Sequence, residues 1–247
     1  MRLVNFNLFF IFLSLPTFAA LEVDRRDTID GVSLTSGKTD GVRTYLASWN
    51  RKFPYPVHVL KNSITNFTER CNNKYKDKRK FSDKNKNCKY NNEHMIESFI
   101  ITNLKDGMPK LPGEVERMVV GRQIYNRGSY GYYELVQILE GLNNEGKKTV
   151  TIVEQMLSDD EVKKLIEPKF DKESAFLKSA NKYTMIELSP NETQVFYEFE
   201  AQTDHWVLNK EVSVPQVFSS IGKSINDLIV AVDTESTVLT REIASKK

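Results

Sequence analysis

Two carboxylates, Glu134 and Glu154, stand in phase with apolar alternation. Glu134 shares a strand face with Tyr132, Val136 and Ile138, and Glu154 shares one with Val150, Ile152 and Met156. If these faces turn inward, each carboxylate needs a partner or a raised pKa, because a buried unpaired charge is costly. Such a group can hold a ligand hydroxyl or move a proton. If the faces turn outward, the acids are simply solvated, which is the plainer reading. A second set, Val195, Tyr197, Phe199 and Ala201, alternates against Phe196, Glu198 and Glu200, which points the Tyr197 side inward. Tyrosine and tryptophan combine a large apolar area with one polar handle, suited to gripping an amphiphile as well as to plain core packing. Trp206, near a strand-to-helix junction, joins this group. The candidate ligand-binding residues are therefore Tyr132, Glu134, Tyr197, Phe199 and Trp206.

Other chemistries lack their residues. His58, His94 and His205 stand far apart in sequence, and the two cysteines are expected to be oxidised, so no metal site is assigned. The chain has no Gly-x-Ser-x-Gly elbow and no spare thiol, and Gly128 to Gly131 is too short for a phosphate-cradling loop. No catalytic residue and no cofactor follow from the sequence.

The elements that must position these residues are those of an ordinary folded protein. With 247 residues, 40% hydrophobic and 28% charged, the chain is neither disordered nor collagen-like nor a multi-pass membrane protein. Residues 1–20, MRLVNFNLFFIFLSLPTFAA, set Arg2 ahead of an apolar run from Leu8 to Leu15, then Pro16 and the small Ala19 and Ala20, which reads as a cleaved signal peptide and a secreted or periplasmic product. With 35 basic against 33 acidic residues, bulk charge does not favour nucleic acid as a partner. In an oxidising compartment Cys71 and Cys88 are expected to form a disulfide, which on the chain-entropy model contributes about 3 kcal/mol.

Between the cysteines, NNKYKDKRKFSDKNKN holds seven basic and two acidic residues. Its composition cannot bury a packed element, so a mobile tethered loop is expected. Lys74, Lys76, Lys78, Arg79, Lys80, Lys84 and Lys86, with Tyr75 and Phe81 interleaved, could dock on an anionic membrane surface.

Residues 21–41 carry polar residues with Gly31, Gly37 and Gly41, and read as an extended lead-in. A single domain is expected over 42–247. It begins with a strand, Val42 to Lys52. A helix follows Pro56, with Val57, Leu60, Ile64, Phe67 and Cys71 forming one stripe. Strands are expected at Glu93 to Leu104, Val115 to Tyr125, Tyr130 to Leu139 and Thr149 to Leu157. Ser158 and Glu161 spell a capping box for a short helix. Strands Lys182 to Leu188 and Thr193 to Ala201 come next, the second running on through Trp206 and Leu208. An amphipathic helix over 216 to 244 ends the pattern.

This order resembles the START-like, helix-grip proteins, the lipid-transfer superfamily related to steroidogenic acute regulatory protein. The likeness is carried by KYTMIELSPNETQVFYEFEAQTDHWVLNKEVSVPQVFSSIGKSINDL and by FPYPVHVLKNSITNF. It implies an α+β fold in which a curved antiparallel sheet packs around a long C-terminal helix and encloses a cavity. It further implies a lipid or other hydrophobic small molecule as ligand, without catalysis. The alternative is an envelope interaction protein that holds nothing inside and meets an anionic partner through the basic loop. The chain departs from the family pattern in that loop. It also has Asn126, Arg127, Gly128 and Ser129 where the middle strands often carry an Arg-Asp pair.

Overall fold

In a computed structural model, residues 21–81, 84–105, 110–125 and 129–245 are described; the expected signal peptide, residues 1–20, lies outside them. The chain runs β1 (Glu22–Ile29), β2 (Val32–Thr39), β3 (Val42–Phe53), α1 (Val57–Ile64), β4 (Arg70–Cys71), β5 (Tyr90–Asn91), β6 (Met95–Ile101), β7 (Glu114–Tyr125), β8 (Ser129–Leu142), β9 (Lys148–Met156), α2 (Asp159–Leu165), β10 (Lys178–Ser189), β11 (Glu192–Thr203) and α3 (Val214–Ser245). Nine strands form one antiparallel sheet in the order β1-β2-β3-β11-β10-β9-β8-β7-β6. The helix α3, 32 residues long, packs on α1 and on β1 to β3.

The sheet begins twenty residues earlier than the sequence pattern implies. Residues 21–41, read as a lead-in, form the β1–β2 hairpin, which then pairs with β3. The cause is local: Asp30-Gly31 and Asp40-Gly41 both take positive φ, at 50° and 81° and at 50° and 79°. Two-residue Asp-Gly turns of this kind match the twist of a hairpin. The β1 strand is exposed almost throughout and rich in charge, which protects an edge from pairing with another chain.

The first helix is shorter than its apolar stripe. It stops at Ile64 because the last-turn carbonyls find side-chain partners: Thr65 Oγ1 donates to Lys61 O at 2.9 Å, and Arg70 donates to Ser63 O. Phe67 and Cys71 are still buried, but from non-helical backbone. The last strand likewise ends at Thr203, and the chain turns before Trp206. The capping box at α2 forms, with Ser158 N donating to Glu161 Oε2 at 2.8 Å and Glu161 N to Ser158 Oγ at 3.3 Å.

Cys71 and Cys88 are joined. The segment between them is more ordered than its composition implies. Residues Asn73–Lys78 form a 3-10 helix, and the Tyr75 ring lies 5.3 Å from that of Tyr125. Arg79, expected at an anionic surface, is only 2% exposed. Its guanidinium donates to the carbonyls of Lys86 at 2.5 Å and Ile96 at 3.3 Å and lies against the disulfide sulfurs. Buried Glu97 accepts from the backbone of Lys80 at 2.8 Å and Phe81 at 3.1 Å. Planar multidentate donation and backbone capping let this charged segment fold without a large apolar payload. The segment covers the β6 edge of the sheet through Asn72 N to Met95 O, 2.9 Å.

Apolar residues pack on both faces. The larger cluster lies between the sheet and α1 and α3, and includes Tyr45, Phe53, Leu60, Ile152, Met185, Val195, Phe218 and Val232. The smaller one gathers Phe99, Tyr133, Leu135 and Leu157 under α2 on the opposite face. Such two-sided burial explains why β8 is apolar on both of its alternating faces.

Candidate functional site

The face of the sheet toward α3 carries an ion cluster amid apolar residues. Strand register builds it: Arg122 stands opposite Tyr132, Val136 opposite Glu154, Glu154 opposite Asn181, and Tyr183 opposite both Ile152 and Tyr197. Directly opposed side chains are the closest neighbours in a sheet, so these pairs meet without any loop to position them. Arg122 Nε donates to Glu134 Oε2 at 2.5 Å, and its Nη2 faces Glu154 Oε2 at 3.5 Å. Asn181 Nδ2 donates to Glu154 at 3.2 Å, and Tyr197 donates its hydroxyl hydrogen to Asn181 Oδ1 at 2.7 Å. The guanidinium also lies 5.0 Å from the centroid of the Phe67 ring.

Burial and charge set the protonation of this cluster. Glu134 is 4% exposed and Glu154 3%, so the inward reading of both faces holds. Burial, with Glu134 as a second negative neighbour, lifts the Glu154 pKa to about 7 against the pull of Arg122. Burial alone would lower the Arg122 pKa, but the two carboxylates reverse it upward. Burial also raises Tyr132, Tyr183 and Tyr197, holding all three phenols neutral.

A second buried pair closes the opposite wall. Arg70 Nε meets Glu235 Oε1 of α3 at 2.7 Å, and Asn66 Nδ2 reaches Glu235 Oε2 at 3.3 Å. Glu235 is 0% exposed, and burial raises its pKa although Arg70 opposes the shift. Ser63 and Ser236 hydroxyls lie 3.0 Å apart, and Tyr55 OH reaches Asp233 Oδ1 at 3.1 Å and Thr237 Oγ1 at 2.8 Å. These contacts fix the C-terminal half of α3 to α1 and its flanks.

Between sheet and α3, a void of about 10 Å³ is lined by Trp49, Phe53, Ile64, Tyr183, Val195, Leu228, Ile229 and Val232. That is room for about one water. Among the described residues, the space between sheet and α3 is therefore far smaller than the cavity implied by the resemblance. A recess of about 340 Å³ lies outside it, at the β1–β2 turn and α3.

Of the residues the sequence proposes, Tyr132, Glu134 and Tyr197 come together at the cluster, and Phe199 packs at its margin against the larger core. Trp206 does not join them: it is 71% exposed on the turn after β11, beneath Lys210, whose Nζ is 5.1 Å from the ring centroid. The backbone of that turn is held outward because Tyr45 OH donates to Leu208 O at 2.7 Å and Arg43 Nε to Asn209 O at 3.1 Å. Lys74, Lys78, Lys80, Lys84 and Lys86 are exposed and Lys76 half-buried. His58, His94 and His205 are exposed, and among the described residues no three His, Cys, Asp or Glu side chains gather as metal ligands.

Sequence reasoning missed Arg122, Asn181 and Tyr183. Its signal was available in β7, where Met118, Val120 and Arg122 alternate in one phase, and in β10, where Asn181, Tyr183 and Met185 do. The middle strands do carry an arginine–carboxylate pair, Arg122 with Glu134. It lies before and after the 126–128 segment, where sequence reading looked for one, and that segment is outside the described residues.

No family model matches the chain, and no curated protein matches it. Solved structures do. Human STARD10 aligns with a TM-score of 0.51 at 11% identity, over 91% of this chain and 78% of that one. Human StAR-related lipid transfer protein 5 aligns at 0.47 and 11% identity, over 90% and 88%. A STAR-related lipid transfer protein from Xanthomonas axonopodis aligns at 0.44 and 6% identity, over 88% and 98%. A nine-stranded antiparallel sheet closed by a long C-terminal helix, alike in course to STARD10 over nine-tenths of its length, gives this chain the START-like helix-grip fold.

Proposed function

We propose that this chain binds one amphiphile between the concave face of the sheet and α3, without chemical conversion. The observation that carries the reading is the cluster itself. One guanidinium is shared by two buried carboxylates on the sheet face of the interior, an arrangement that costs stability relative to apolar packing. A ligand hydroxyl fits it, donating to Glu134 or Glu154 while accepting from Arg122 or Tyr132. An anionic head does not, because two carboxylates face one arginine there. The apolar body then lies along Tyr183, Tyr197 and Trp49 toward α3. Two proteins with this fold carry lipid transfer in their names, which agrees with this ligand class.

The void of about 10 Å³ is far below the several hundred that a lipid occupies. Uptake therefore requires α3 and its side chains to part from the sheet. The apolar segment at residues 1–20 and the disulfide support export to an oxidising compartment, and the exposed lysines around the disulfide support contact with anionic bilayers.

Native mass spectrometry tests the reading. The protein is equilibrated with phosphatidylcholine vesicles containing either diacylglycerol, which has a free hydroxyl, or a fatty acid. One diacylglycerol per chain, with little fatty acid, is expected. No adduct, or equal retention of both, would overturn it.

A further inference from the structure

We propose that the recess between the β1–β2 turn and the middle of α3 is the mouth through which the amphiphile passes, with Trp49 and Ile229 as its inner partition. This rests on the reading of the chain as an amphiphile binder. The recess, about 340 Å³, is lined by residues that include Asp30, Val32, Trp49, Arg51, Asn226 and Ile229. Trp49 and Ile229 also line the inner void. Displacing these two side chains joins the outer space to the inner one.

Three observations converge on this place. Trp49 Nε1 is buried without a hydrogen-bond partner among the described residues. A buried indole N–H normally has an acceptor, so this one is open to an acceptor on a passing ligand.

On its inner side Trp49 stacks on Tyr197, with centroids 5.8 Å apart and planes at 24°. Tyr197 in turn lies 4.9 Å from the Tyr183 ring and hydrogen-bonds Asn181. Ring surface therefore runs from the recess to the ion cluster.

The helix, finally, is held on either side of the recess. Toward its C-terminus the Arg70–Glu235 pair and the Tyr55 and Ser63 hydrogen bonds fix it. Toward its N-terminus Phe218 meets Tyr45 edge-on at 6.2 Å, and Gly222 is so close to Ile29 that an added Cβ would lie 3.2 Å from Ile29 Cγ2. Across the recess itself the polar link among the described residues is one exposed hydrogen bond, Asn226 Nδ2 to Asp30 Oδ2 at 3.1 Å, above the apolar packing of Val32 and Ile229 that a passing hydrocarbon tail can replace. Water competes for such a bond, so it opens at little cost. The occupant that suits the mouth is a hydrocarbon-tailed amphiphile, passing between Val32 and Ile229 with acceptor groups met by the indole N–H and Arg51.

The test links Asp30→Cys to Asn226→Cys through a short bis-maleimide, with the native disulfide intact. A Trp206→Phe background leaves Trp49 as the sole tryptophan, and energy transfer from it reports uptake of a pyrene-tailed long-chain alcohol. The linked protein should load about tenfold slower or more than the same double-cysteine variant left unlinked, whose rate is the reference, as gating of passage requires. Protein loaded before linking should keep its probe. Val230→Phe, at the exposed rim, should also slow loading without a crosslink and without adding a second tryptophan. If the linked protein and Val230→Phe load as fast as the parent, the mouth lies elsewhere while amphiphile binding stands. If the parent itself takes up no alcohol, the binding reading fails and the mouth with it.

Discussion

Tyr197 donates its hydroxyl hydrogen to Asn181 Oδ1 over 2.7 Å, and the same amide turns its Nδ2 to Glu154 over 3.2 Å. Asn181 is thereby the joint between the aromatic half of the interior and its ionic half. Its replacement severs both bonds at once, whereas loss of the Tyr197 hydroxyl severs one. Asn181→Leu should destabilise the fold by about 2–3 kcal/mol and Tyr197→Phe by about 1 kcal/mol, since stranded buried groups cost more than a single lost bond. Urea unfolding curves measure both; equal effects would contradict the relay.

Arg122 holds two carboxylates that are almost wholly buried. Arg122→Met should cost about 3–5 kcal/mol by leaving them unpaired. Replacing the whole cluster, Arg122→Met with Glu134→Leu and Glu154→Leu, should restore stability near the parent value while abolishing amphiphile retention. A stable triple variant that still binds would show that the cluster does not recognise the ligand.

Much of this fold was legible because its strands and α3 alternate cleanly, and because Ser158 with Glu161 marks a helix start by a local bond that needs no tertiary context. The turns at Asp30-Gly31 and Asp40-Gly41 were equally local, but charged β1 hid the hairpin, since an edge strand needs no apolar face. The site was half legible. Tyr132, Glu134 and Tyr197 followed from alternation, yet whether their faces turn inward depends on which side of a two-sided sheet α3 covers, and no strand records that. Arg79 and Trp206 went wrong for one reason. Residue type suggested exposure for the arginine and burial for the tryptophan, while distant backbone carbonyls and the Tyr45 and Arg43 anchors decided otherwise.

The raised pKa of Glu154 gives stability a pH dependence of definite sign. An acid whose folded pKa of about 7 exceeds its ordinary 4.5 binds its proton more tightly when folded. Its contribution is fully present below pH 4.5 and is lost as pH rises through 7. Stability should thus fall by roughly 1–3 kcal/mol across that window, and Glu154→Gln should flatten the slope. Asp24 and Glu114, whose pKa values are lowered despite burial by Ser36 and Arg43 and by Arg117, act below pH 4.5 in the opposite direction. Urea midpoints taken at intervals from pH 4.5 to 8 decide; an unchanged slope in Glu154→Gln would assign the titration elsewhere.

The disulfide and the lysines around it should separate cleanly in experiment. Cys71→Ser with Cys88→Ser should lower stability by about 3 kcal/mol, through a loop with a sequence separation of 17. Gln at Lys74, Lys76, Lys80, Lys84 and Lys86 should leave the thermal midpoint nearly unchanged but weaken sedimentation with anionic vesicles, more so at low salt. Arg79→Gln should do the reverse, destabilising the segment with little change in vesicle binding. Unaltered vesicle binding in the five-lysine variant would remove the membrane contact from the account.

The central claim is a location: the hydroxyl end of an amphiphile at Arg122, Glu134 and Glu154, beside the Phe67 ring. A long-chain alcohol with a photoreactive diazirine beside its hydroxyl tests it most directly, with the labelled peptides mapped by mass spectrometry. Adducts on β7 to β10, around Arg122, Tyr132 and Asn181, and their loss in the triple cluster variant, are the expected result. Adducts confined to the 71–88 segment or to the exposed turn at Trp206 would contradict it.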